Sequence, residues 1–138
     1  MPEPMITIRP CHTVEEFEEM VELEFQVWGF GQRDVVPSQM YVVADKIGGQ
    51  VLGAFVGNRL AGFVLAYPGI RHLRPYLHSH MAAVLPEFRD LGIGRRLKLA
   101  QKAITREGEN LRGQGSLSRR KPIISSTIMR LRLRHKLQ

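Results

Sequence analysis

The alternation Ile6-Thr7-Ile8-Arg9 opens the chain's pattern and predicts a short strand, ended by Pro10. The period then changes. Thr13 and Glu16 are spaced as a capping box, in which each side chain satisfies the other's backbone N–H at a helix start. The helix that follows carries Val14, Phe17, Val21, Phe25 and Trp28 as an apolar stripe, with Glu15, Glu18, Glu19, Glu22 and Glu24 on a solvated face. Gly29 and Gly31 end it. Two apolar runs, Gln50–Val56 and Leu60–Ala66, flank Gly57-Asn58, which predicts an antiparallel hairpin. Pro68-Gly69 closes the second run, and Tyr76–Leu85 reads as a third strand stopped by Pro86. A further amphipathic helix carries Leu97, Ala100, Gln101 and Ile104 for about three turns. This pattern predicts an α/β (α+β) fold containing an antiparallel hairpin.

The pattern fails after Glu107. Gly108, Gly113 and Gly115 interrupt a helix, and Met129, Leu131, Leu133 and Leu137 then alternate with Arg130, Arg132, Arg134 and Lys136 as in an edge strand or basic arm. Charge divides at the same place. The 138-residue chain carries a net +7, yet residues 1–105 hold 11 Lys/Arg against 11 Asp/Glu. Residues 106–138 hold nine against two, so the excess belongs to the last quarter and says nothing about the body. No aromatic residue follows Phe88. The expected organisation is one domain over 5–105, incomplete beyond it, followed by a basic tail over 106–138 that is truncated or read in another frame. That tail is the one feature that would support a nucleic-acid-binding protein.

Composition excludes little else. No apolar run approaches the ~20 residues of a membrane span. The N-terminus lacks the basic-then-apolar layout of a signal peptide. A lone cysteine, Cys11, excludes an internal disulfide and fits a cytoplasmic setting. Cys11-His12 is no nucleophile pair, because neighbours on a strand face opposite ways. A homo-oligomer is left open.

The candidate chemistry sits between the third strand and the last helix. Arg89-x-x-Gly92-x-Gly94 places two residues without Cβ where the chain enters a helix, so backbone N–H groups can approach an anion closely. Arg89, Arg95 and Arg96 add positive charge. A P-loop would need Gly-Lys-Ser/Thr, which is absent, and a dinucleotide fingerprint would need a third glycine where Leu97 stands. The segment from Ala82 to Gly94 resembles the acyl-CoA pyrophosphate loop of the GNAT acetyltransferases, with its Arg/Gln-x-x-Gly-x-Gly/Ala pattern after a strand end. The order of elements over residues 5–105 is also similar to that family, which implies a mixed, mainly antiparallel sheet flanked by helices.

The resemblance implies a set of roles. Backbone groups of Ala82, Ala83 and Val84 would bind the pantetheine arm of acetyl-CoA as an added strand. Backbone N–H groups of Asp90, Leu91, Gly92, Ile93, Gly94 and Arg95, beside Arg89, would hold the pyrophosphate. The amide near Val84 would stabilise the oxyanion. A small-molecule or peptide amine would be acylated directly, with no covalent enzyme intermediate. His78 or His80, two positions apart on one strand, would serve as base, and packing is the alternative role for both. The family's tyrosine acid has no counterpart, because Tyr41, Tyr67 and Tyr76 all precede the glycine turn. No residue is a metal-ligand candidate.

Overall fold

The computed structural model describes residues 5–29, 31, 33–112 and 124–125. Its elements in order are β1 (Ile6–Pro10), α1 (Val14–Trp28), α2 (Ser38–Lys46), β2 (Gln50–Val56), β3 (Arg59–Arg71), β4 (Arg74–Val84), a 3-10 stretch over Pro86–Leu91, α3 (Ile93–Arg112) and β5 (Ile124–Ser125). The sheet order is β1-β2-β3-β4-β5. The first four strands pair antiparallel, and β5 pairs parallel to β4 at Leu77 and His78. The mixed, mainly antiparallel sheet that the resemblance implies is what forms.

Helices cover both faces. On one, Phe17, Met20 and Leu23 of α1 and Tyr41 and Ala44 of α2 pack with Phe63, Leu65, Met81 and Ala83. Tyr41 stacks on Phe17 at 5.9 Å and tilts against Phe63 at 5.7 Å, contacts worth about 1 kcal/mol each beyond their burial. On the other face, Ile93 and Leu97 of α3 cover Leu52, Ala54, Ala61 and Val64, with Ala82 and Val84 at the margin. The alternation along β4 therefore divides its side chains between the two cores.

The start of α1 forms as the local chemistry requires. The Glu16 N–H donates to Thr13 Oγ1 at 3.3 Å, and the Thr13 N–H donates to Glu16 Oε1 at 3.2 Å. Arg9 closes on the same carboxylate at 2.5 Å. Burial alone would raise the Glu16 pKa, but the hydrogen bonds from Arg9, Thr13 and His12 outweigh it and hold it at about 2.

Three expectations need correction, and helix α2 adds to what the pattern predicts. The buried stripe of α1 is Phe17, Met20, Leu23, Glu24 and Val27, while Val14 is exposed. Glu24 thus leaves the solvated face for the core, where Val36 N–H (2.9 Å) and Tyr41 O–H (3.0 Å) donate to its carboxyl. Helix α2 follows Pro37, an N-cap position without a side-chain cap bond, so no local signal marks it. Pro68-Gly69 does not end β3. Strand β2 stops pairing at Ala66, so beyond that residue β3 has no partner strand on that edge among the described residues, and Pro68 needs no donor there. The reversal comes at His72-Leu73, both at positive φ (51° and 62°). Finally, α3 runs through Gly108, the interruption expected from the sequence, to Arg112. Most of the tail reading lies outside the described residues.

Candidate active site

Gly92 ends the 3-10 stretch in the left-handed region, φ +71°, which only glycine adopts at no steric cost. A Cβ there would meet nothing within 4 Å, so backbone conformation alone requires the glycine. Gly94 differs. A Cβ on it would touch only Val84 Cγ2, at 3.9 Å, and otherwise faces open space. The helical bond from Arg96 N–H to the Gly92 carbonyl measures 3.1 Å. The N–H groups of Ile93, Gly94 and Arg95 precede it and stand at the positive end of α3. The entry of a 20-residue helix of this kind can accept an anion, and Arg95 and Arg96 are exposed beside it.

Arg89 takes a part that spacing did not reveal. Its Nε donates to the Val84 carbonyl at 3.3 Å, tying the turn back to the strand it left. Asp90 and Leu91 are exposed on the turn, whereas the Ile93 side chain is fully buried and offers the site only its backbone. Ala83 is likewise buried. Along β4, the edge away from β3 pairs with β5 only at Leu77 and His78, so Ala82–Val84 have no partner strand on that edge among the described residues. The structure thus brings Ala82–Val84 and Arg89–Arg95 together as one continuous backbone surface. An extended arm bearing a pyrophosphate fits its donors: a free strand edge for the arm and helix N–H groups for the phosphates.

The middle of β4 carries a β-bulge. Leu65 opposes Met81 and Ala66 opposes Ser79, which leaves His80 as the extra residue. The ring of His80 lies 5.5 Å from Tyr67 and 6.0 Å from His78. Tyr67 packs on the α1/α2 core, and its hydroxyl donates to the Met40 carbonyl at 3.3 Å. The two histidines therefore stand together, half-buried, on that side. Burial, and after it the charge of Glu24, pushes the Tyr67 hydroxyl up in pKa. Ser79 faces the other way, fully buried, and Lys98 of α3 donates to its Oγ at 2.6 Å. Tyr67, Ser79 and Lys98 escaped sequence reading because no spacing rule announces a bulge that puts Ser79 on the opposite face from Met81.

An open groove of about 550 Å³ lies between α1 and the β2–β3 turn, with Glu19, Glu22 and Arg59 on its rim and Leu23, Leu60 and Leu85 beneath. It adjoins the end of β4 and does not include the histidines. Cys11 is sealed in the core, and desolvation pushes its thiol up to about 12. His12 is occupied by Asp45 at 2.8 Å. Among the described residues no cluster of His, Cys, Asp or Glu is placed to hold a metal ion, and no helix is long and apolar enough to cross a membrane.

The fold is that of the N-acetyltransferases. An aminoglycoside acetyltransferase from an uncultured soil metagenomic sample, solved in complexes with trehalose and with sisomicin, superposes with a TM-score of 0.59 at 16% identity over 96% of this chain and 85% of its own. Aminoglycoside N-acetyltransferase AAC(6')-Iy, solved with CoA, gives 0.61 at 18% identity, covering 99% of this chain and 86% of that one. Arabidopsis thaliana Naa50, solved with a CoA–peptide bisubstrate analogue, gives 0.56 at 10% identity, covering 74% and 65%. A comparison with curated protein sequences finds no match. Residues 8–113 match the acetyltransferase (GNAT) family, and the chain belongs to it. It is an acyltransferase by family, and the basic-tail reading as a nucleic-acid binder gains no support.

Proposed function

We propose that this chain transfers the acetyl group of acetyl-CoA to an amine on a small molecule or peptide. The observation that carries the reading is the helix entry at Gly92–Gly94 set beside the unpaired edge of Ala82–Val84. When bound, acetyl-CoA supplies an activated thioester. The chain's part is to hold its pyrophosphate on the N–H groups of Ile93–Arg95 and its arm on β4. A backbone N–H on the same edge polarises the thioester carbonyl. His78 or His80 takes the proton from the acceptor's ammonium, directly or through water, and Tyr67 beside His80 fixes that ring.

The acceptor approaches on the α1/α2 side, where the exposed acidic residues of α1 and the groove rimmed by Glu19 and Glu22 favour a cationic molecule. Residues 5–105, with the remainder of α3, form the acyl-CoA-binding unit in this proposal. The buried, lone Cys11 fits a reducing compartment such as the cytoplasm.

The test is thiol release from acetyl-CoA in the presence of amines, with sisomicin and a short peptide as probes. Amine-dependent release that rises with pH, and that His78→Gln or His80→Gln reduces about 100-fold, is the expected result. Release that no amine accelerates, or that both substitutions leave unchanged, contradicts the proposal.

A further inference from the structure

Acyl transfer from a thioester needs two proton movements. One proton leaves the attacking amine. Another must reach the departing sulfur, whose thiol titrates near pH 8.5 when unperturbed. The histidines serve the first movement from one face of β4. We propose that Lys98 serves the second from the opposite face, as proton donor to the CoA sulfur, and that Ser79 positions it. This rests on the acyl-CoA reading above.

Alternation along β4 separates the two functions, and the bulge at His80 sets which face each one takes. It leaves His78 and His80 beside Tyr67 and aims Ser79 at α3. Ser79 is fully buried, so its hydroxyl is a fixed acceptor. Lys98 Nζ donates to it at 2.6 Å and to Gln101 Oε1 at 3.4 Å. An ammonium has three donors, and among the described residues the third has no acceptor. Lys98 lies four residues past Gly94, about 6 Å along the helix. Ser79 lies three residues before Ala82, about 10 Å along the strand. An arm running from the Gly92–Gly94 turn down the Ala82–Val84 edge delivers its thioester toward this stretch of β4. Burial lowers the pKa of Lys98, which eases release of its proton.

The step balances. The amine nitrogen bonds to the carbonyl carbon, the C–S bond breaks and its electron pair moves to sulfur. Lys98 gives sulfur a proton, becomes a neutral amine and regains a proton from water. The products are one amide and one free thiol. The groups around Lys98 are few. Gln101 and the exposed Arg95 and Lys102 share α3 with it. Gln50 of β2 donates to the Gln101 carbonyl at 3.5 Å. Ser79 faces it from β4, with Tyr67, His78 and His80 across the sheet.

The experiment uses the full chain and free CoA, whose thiolate absorbs in the ultraviolet. The thiol of bound CoA is titrated in the wild type, Lys98→Met, Lys98→Arg and Ser79→Ala, with binding measured for each by calorimetry. A cation near the sulfur lowers the bound thiol's pKa by about one unit or more. That shift is expected in the wild type and Lys98→Arg, reduced in Ser79→Ala and absent in Lys98→Met. If Lys98→Met binds CoA and titrates like the wild type, the Lys98 assignment is overturned while CoA binding stands. Failure of the folded wild type to bind CoA overturns the acyl-CoA reading and this inference together. Should Lys98→Met not fold, Ser79→Ala decides, and an unchanged titration there overturns the pairing.

Discussion

Replacing Glu24 with leucine removes a carboxyl that joins α1 to α2 and the segment leading into it. Its Oε1 accepts the half-buried Val36 N–H at 2.9 Å and its Oε2 accepts the buried Tyr41 hydroxyl at 3.0 Å. Leaving a buried donor without a partner costs about 1–3 kcal/mol. Two such donors, one of them only half-buried, give a loss of roughly 3–4 kcal/mol. The apolar side chain recovers roughly 1–2 kcal/mol by its own burial. The net expectation is about 2 kcal/mol of lost stability, read by urea denaturation as a lower midpoint at unchanged slope.

Tyr41→Phe removes a donor together with its need for a partner, so alone it costs about 1 kcal/mol. In the double variant the orphaned hydroxyl is gone, and the combined loss falls short of the sum of the two singles by about 1 kcal/mol. Glu24→Leu at or above wild-type stability would refute the reasoning, and so would strict additivity. Because the Met40 carbonyl accepts from Tyr67, the same substitution loosens the residue beside His80 and raises the KM for the acceptor amine.

Other consequences can be checked on the same protein. The Glu16 pKa is lowered in the folded state, so its contribution to stability is present above the ordinary value of 4.5 and is lost as pH falls through about 2. Glu16→Gln should remove that dependence and cost about 1 kcal/mol near neutrality, measured by denaturation at several pH values. A steeper acid loss in Glu16→Gln than in the wild type contradicts this. Cys11, buried with its thiol pushed up to about 12, should resist iodoacetamide until the chain unfolds. Rapid labelling of the native protein would show that the β1–α1 junction opens.

Features written in neighbouring residues were legible in the sequence. The Thr13–Glu16 box, the Gly57-Asn58 hairpin and the Gly92 turn each depend on a few adjacent positions, and each forms as expected. What stayed hidden depends on distant partners. Glu24 is acceptable in the core only because Val36 and Tyr41, 12 and 17 residues away, donate to it. Pro68 is accepted inside β3 only because β2 ends its pairing at Ala66. The pairing of Ser79 with Lys98 needs both the bulge and the approach of α3. For the candidate site, the residue types and the loop could be read from the chain. The face on which each side chain works could not, because one extra residue in a strand reverses it.

The most direct test is calorimetric titration of acetyl-CoA into the chain and into Gly94→Glu. The Cβ direction at Gly94 is open apart from Val84 Cγ2 at 3.9 Å, so the variant should keep its fold and its melting temperature. Its carboxylate would occupy the space above the α3 N–H groups and repel the pyrophosphate. Saturable binding by the wild type that is lost in a folded Gly94→Glu is the predicted result. Equal binding by both proteins, or none by the folded wild type, would contradict the assignment of the Gly92–Gly94 turn to CoA.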